Sequence, residues 1–155
     1  MKTGLSLALV LLSTVLFGKR PAVAVWTNKG DVEASSQHFA ADGTFTNIVG
    51  MFFTGHEAFR ERRDQIFKGV LRGTTKQEDI VSIVSRPDVA VVETLQTVTG
   101  VQKLFPGTSA DAKGRLRTRL LQILVKDNGE WKIVVYHNVD VKPGGSIPEP
   151  SALQE

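Results

Sequence analysis

Cysteine is absent from the 155-residue chain, which excludes disulfides, thiolate nucleophiles and cysteine metal sites. Dense basic runs are absent too. The net charge is only +3, and the arginine groups Arg60, Arg62, Arg63 and Arg115, Arg117, Arg119 are short and interrupted by other residues. Nucleic-acid recognition calls for a denser patch interleaved with exposed aromatics, so no nucleic acid is expected as a partner. No phosphate-binding loop or nucleophile-elbow serine occurs. Strands and helices do not alternate as in a nucleotide-binding sheet, and no motif would hold a nicotinamide or flavin, so no cofactor is expected. The three histidines are scattered without close carboxylates, which speaks against a metal site. What is present is an ordinary globular composition, 41% hydrophobic and 23% charged, enough for one domain with a real core.

The longest apolar stretch, Thr3 to Gly18, falls short of the ~20 residues that cross a bilayer comfortably. With Lys2 before it and Ala22-Val23-Ala24 after it, it reads as an export signal. Lys19-Arg20-Pro21 is unusual in that position, and an uncleaved anchor or a degenerate first helix are the rival readings. The organisation is then a signal-like segment over 1–24, a domain over 25–143 and a flexible Pro- and Gly-rich tail over 144–155. Cleavage predicts a secreted or periplasmic protein with no stable membrane insertion; without cleavage the chain is cytoplasmic.

Asp31 is a plausible N-cap for a short helix through Phe39, and Thr44 to Val49 reads as a strand by its β-branched content. Thr54-Gly55-His56-Glu57 has the form of a capping box and opens the clearest helix, with Phe59, Ile66 and Phe67 as the buried stripe and Gly69 as its end. Arg63 lies on that stripe, where its stem either snorkels past the edge or serves a pocket. Thr75–Ser85 and Val89–Val101 read as two strands joined by Arg86-Pro87-Asp88. In the second, Val89, Val91, Glu93, Leu95 and Thr97 share a face, which makes Glu93 a candidate pocket carboxylate or an edge residue facing water.

The chain is organised around the stretch from Arg115 to Asp140. Asn128-Gly129 joins two β-rich runs and suits a type I′ turn. An unbroken two-residue hairpin predicts Leu124 opposite Ile133, Gln122 opposite Val135 and Leu120 opposite His137. On this register Gln122 and His137 share a cavity face with Trp131. Ile123, Val134 and Tyr136 occupy the other face, buried against a second subunit, and a bulge near Gln122 would exchange the faces beyond it. The order of helix, strand, helix and four antiparallel strands predicts an α+β fold with helices on one face of a curved sheet.

Four pieces of sequence carry a family likeness: Trp26 followed by Gly30-Asp31; Phe39-Ala40-Ala41-Asp42 with Asn47 and Gly50; Gly55-His56-Glu57-Ala58-Phe59 leading to Phe67; and Asp127-Asn128-Gly129-Glu130-Trp131 ending in Tyr136-His137-Asn138. Together they span Trp26 to Pro143. The chain resembles the nuclear-transport-factor-2-like superfamily, in its SgcJ/EcaC-type, SnoaL-like branch. The resemblance implies a cone-shaped, curved antiparallel sheet packed against helices, enclosing one pocket, and a homodimer. Two departures stand out. The family's long first helix would fall where the signal-like segment lies, and branch members often carry histidine at the position of Arg63. The first-strand aspartate that serves as base in the ketosteroid isomerases corresponds to Asn47, and an amide cannot take the proton, so that mechanism does not carry over.

The ligand contacts expected are Trp26, Phe45, Asn47, Arg63, Phe67, Glu93, Gln122 and Trp131, with His137 as the candidate catalytic base. A histidine in that place is otherwise a satisfied core residue. Three functions follow. The first is a small-molecule pocket protein that binds or transforms a hydrophobic, polyketide- or steroid-like ligand. The second is an enzyme of the cyclase, hydratase or oxygenase-like sort using His137. The third is a non-catalytic homodimerisation module with a filled pocket.

Overall fold

The computed structural model describes residues 24–27 and 32–144. The signal-like segment, apart from Ala24, and the tail beyond residue 144 lie outside the described residues, as does the side chain of Trp26. β1 (Ala24–Thr27), β2 (Phe39–Thr46), β3 (Phe52–Thr54), β4 (Thr75–Ser85), β5 (Val89–Thr99), β6 (Leu116–Asp127) and β7 (Glu130–Asp140) form a single sheet in the order β1-β4-β5-β6-β7-β2-β3. Two helices, α1 (Val32–Ser36) and α2 (His56–Lys68), accompany it. The α+β expectation of a curved sheet against helices is borne out. One pairing departs from the antiparallel rule: β2 runs parallel to β7, with Phe45 opposite Tyr136. Among the described residues no helix is long and apolar enough to cross a membrane.

The β6–β7 hairpin turns at Asn128 (φ 48°) and Gly129 (φ 84°), the left-handed pair that a type I′ turn needs. From the turn the register runs as expected to Leu124 opposite Ile133. Val134 then has no partner, and Ile123 faces Val135. This one-residue bulge exchanges the faces beyond it. Tyr136 therefore shares the inner face with Gln122 and is buried, while His137 faces Leu121 on the outer surface and is exposed.

The inner face is built around Phe59 of α2, which is 1% exposed. Its ring stacks on Phe39 (centroids 4.0 Å apart, 4° between planes) and meets Phe45 edge-on at 5.2 Å and Tyr136 at 5.5 Å. Gly43 makes this fit: a Cβ there would stand 2.8 Å from the Phe39 ring and 3.0 Å from the Ile133 carbonyl oxygen. The Thr54–Glu57 capping box does not form. Gly55 is the N-cap and no side chain caps the helix, because Glu57 instead accepts a hydrogen bond from Arg60 Nε at 3.2 Å. Helix α1 ends at Ser36, not Phe39, since Phe39 and Ala40 pack as the start of β2. Phe59→Ala removes the centre of the aromatic cluster and should lower unfolding free energy by about 3–5 kcal/mol, read from the midpoint of a urea transition.

Candidate functional site

Helical spacing sets the site. One turn beyond Phe59, Arg63 carries its guanidinium over the Phe67 ring at 4.5 Å and within 5.9 Å of the Phe59 centroid. A second apolar cluster, Ile66, Leu71, Val98 and Leu116, with Phe67, Leu104 and Phe105 packed against it, closes this end of the fold. Between the two clusters lies a cavity of about 50 Å3, lined by apolar side chains together with Asn47, Arg63, Lys76, Gln96, Thr118, Tyr136 and Asn138. That volume holds about one or two water molecules. Its cover is the loop leading to β6. There Thr108 Oγ1 donates to the Phe105 carbonyl, and the Lys142 ammonium donates to the Gly107 carbonyl. Asp111 accepts from the Lys113 and Arg115 amides and from Arg115 Nε. The Arg115 guanidinium, followed by those amides, holds the Asp111 carboxyl down at about 2 against the opposing effect of burial.

A polar network stands on the sheet wall of the cavity. Lys76 Nζ lies 3.2 Å from Glu78 Oε2. Thr94 Oγ1 donates to Glu78 Oε1 at 3.1 Å, and Gln96 Nε2 donates to Glu78 Oε2 at 3.1 Å. Thr118 Oγ1 completes the chain by donating to Gln96 Oε1 at 3.2 Å. The side chains of Lys76 and Glu78 are 12% and 17% exposed. Burial pushes the Glu78 carboxyl up, but the Lys76 charge and the donors Lys76, Thr94 and Gln96 outweigh it and hold the group below its ordinary range. On the opposite wall Asn47 Oδ1 accepts from the Val49 and Met51 amides at 3.1 and 2.9 Å. Asn47 thus pins the turn between β2 and β3 with its carbonyl and leaves its NH2 group free. Arg63 Nε and Asn138 Oδ1 are buried without hydrogen-bond partners.

Of the residues expected from sequence, Phe45, Asn47 and Arg63 line this cavity, and Phe67 supports Arg63 from below. Gln122 is buried on the inner face, and Trp131 belongs to the Phe59 cluster, but neither lines the cavity. The backbone of Trp26 pairs with Lys76. The placement of His137 is corrected: the Val134 bulge turns it outward, away from the cavity. Glu93 is likewise corrected, since its row is the outer one; its side chain is 42% exposed and stands 3.6 Å from Arg119. The inner row of β5 is Ala90, Val92, Thr94, Gln96 and Val98. Two polar residues within that apolar row were the available signal for the network. A second concavity of about 580 Å3 near Asp42, His56, Asp127 and Lys132 opens on the surface and contains no unpartnered buried polar group among the described residues.

A family model for the SnoaL-like domain matches residues 22–138. The chain belongs to the SnoaL-like domain family. Three solved structures are similar to it. An uncharacterised protein with a cystatin-like fold from Caulobacter vibrioides is 20% identical, over 87% of this chain and 86% of that one, at a TM-score of 0.61. A ketosteroid isomerase-like protein from Erwinia carotovora atroseptica is 17% identical, over 92% and 100% of the two chains, at 0.60. A provisionally assigned scytalone dehydratase from Novosphingobium aromaticivorans is 18% identical, over 74% of each chain, at 0.58. At these identities the likeness is one of fold. The nuclear-transport-factor-2-like, SnoaL-like resemblance read from the sequence is thereby borne out. No curated protein matches the chain.

The Glu78 network should show in stability. Lys76→Met leaves a buried carboxylate unpaired and should cost about 3 kcal/mol, whereas Lys76→Met with Glu78→Gln should recover most of that. Because the folded-state pKa of Glu78 is depressed from its ordinary 4.5, its stabilisation is complete above pH 4.5 and lost as pH falls through the lower value. Glu78→Gln should therefore flatten that part of the acid limb in urea titrations between pH 3 and 6.

Proposed function

We propose that this SnoaL-like domain, read as the SgcJ/EcaC type on Trp131 and Tyr136-His137-Asn138, is a small-molecule pocket protein. Its ligand is compact and part apolar, part polar. The observation that carries this reading is a pair of buried, unpartnered polar atoms, Arg63 Nε and Asn138 Oδ1, on side chains that line an otherwise largely apolar cavity. Such atoms cost free energy in the empty protein and are answered by a ligand or by water. The names of two similar structures, a ketosteroid isomerase-like protein and a provisionally assigned scytalone dehydratase, point to small-molecule chemistry on this fold. The cavity of about 50 Å3 is far below the ~300 Å3 or more of a drug-sized site. A polyketide- or steroid-like ligand of several rings would enter only with the Phe105 loop displaced.

Binding is favoured over catalysis. A general base works best with a pKa near the operating pH. His137 stands on the outer surface, and Glu78 is held low and fully occupied by donors. Native mass spectrometry of protein purified from its own source tests the reading: a retained small molecule, lost on Phe105→Trp or Arg63→Met, is the expected result. A clean apo mass, with no stabilisation by any compound in a thermal-shift screen, would sink it.

The outer face supports a homodimer as the second reading. Val84, Val89 and Val139 are exposed there, beside the half-buried Val91, Leu121, Ile123 and Val135. Such a face is a candidate for pairing with a second copy. Light scattering should give twice the chain mass, and Ile123→Lys should return the monomer; a wild-type monomer at high concentration rejects this reading.

A further inference from the structure

The cavity wall contains two cations and no carboxylate. Arg63 and Lys76 both line it. The nearest acid in the network, Glu78, is saturated by Lys76, Thr94 and Gln96. Asp140, opposite Thr118, is paired with Lys142 at 2.9 Å, so Arg63, Lys76 and Glu78 leave an excess of one positive charge beside the cavity. Lys76 uses one of its three N–H donors on Glu78. Arg63 makes ring contacts but no hydrogen bond or ion pair among the described residues, and its Nε is buried. Asn47 has committed its oxygen to the backbone, which leaves its NH2 group as a further donor. The site is therefore positive by one unit and offers donors from Arg63, Lys76 and Asn47, beside one unpartnered acceptor, Asn138 Oδ1, which a carboxylate leaves to a water molecule.

A neutral ligand would leave one cation unmatched, and a doubly charged phosphate would over-compensate. A monocarboxylate matches the charge, and guanidinium–carboxylate contacts are the strong, paired kind. Size agrees: about 50 Å3 is the space of about one or two waters, comparable with a carboxylate group rather than a ring system. Phe105 and Leu71 supply apolar surface in the same lining, which a short hydrocarbon remainder would contact. We propose that this cavity is a subsite for the carboxylate of a small organic acid, bound between the Arg63 guanidinium and the Lys76 ammonium. This rests on the pocket reading above.

Titration calorimetry with matched probes tests it: acetate, butyrate and benzoate against acetamide, butyramide and benzamide. At least one acid should bind about tenfold or more tightly than its amide. That preference should shrink to roughly threefold or less in Arg63→Met and in the doubly substituted Lys76→Met/Glu78→Gln protein, which keeps the buried pair neutral so that the fold survives. Circular dichroism confirms that each variant is folded. If amides bind as tightly as acids, the carboxylate subsite is overturned while the pocket stands. If the acid preference persists in either variant, Arg63 and Lys76 do not form the clamp, and the proposal falls. If neither acids nor amides bind, the pocket reading and the subsite fall together.

Discussion

The contact between Phe59 and the rings of Phe39, Phe45 and Tyr136 fixes how far helix α2 stands from the sheet. Aromatic rings meeting flat and edge-on leave little freedom of distance or rotation. Once Phe59 is set, Arg63 and Ile66 must project toward the Val98 and Leu116 end of the sheet, because a helix returns to the same face every three or four residues. One end of the concavity becomes dry aromatic core. The other keeps a small void with charged walls.

The two ends answer different physical demands. Around Phe59 the inner face buries rings and aliphatic groups, and the buried Gln122 is the polar exception. Around Lys76 and Glu78 it buries a charge pair where apolar residues of similar volume would be equally stable or more so. The pair is tolerated because Thr94, Gln96 and Thr118 satisfy the carboxylate and each other in sequence. A network this fully connected is stiff, and it presents Lys76 to the cavity in one orientation. The loop that roofs the void is fastened by its own polar contacts at Asp111 and Gly107, so the roof is held independently of what lies beneath it.

Much of the fold was legible because its signals are local. Asn128-Gly129 fixed a turn, β4 runs over the expected Thr75–Ser85, and the Phe59–Ile66 stripe marked the helix. The site was less legible because it depends on register, and register depends on pairings between distant segments. In β4 the ladder slips between Ile80 and Ser82, in β2 between Phe39 and Thr44, and in β7 at Val134. No single residue announces any of these. Arg63 was found since it follows from short-range helical spacing, and Asn47 since the family likeness marks its position on the first strand. Lys76, Glu78, Gln96, Thr118, Tyr136 and Asn138 were missed since their faces are settled across strands. The unused capping box has a related cause: Glu57 is engaged by Arg60 and His56 instead.

The unpaired Val134 has a consequence for comparing this chain with its relatives. Beyond it, counting residues from the Trp131 strand no longer tells which side of the sheet a side chain occupies. A relative without the extra residue would present its histidine inward in a motif written with the same letters as Tyr136-His137-Asn138. Roles assigned by matching letters in this last strand therefore carry across only between chains that share the bulge. The strand's hydrogen-bond ladder, rather than its motif, is the proper basis for transferring function within the family.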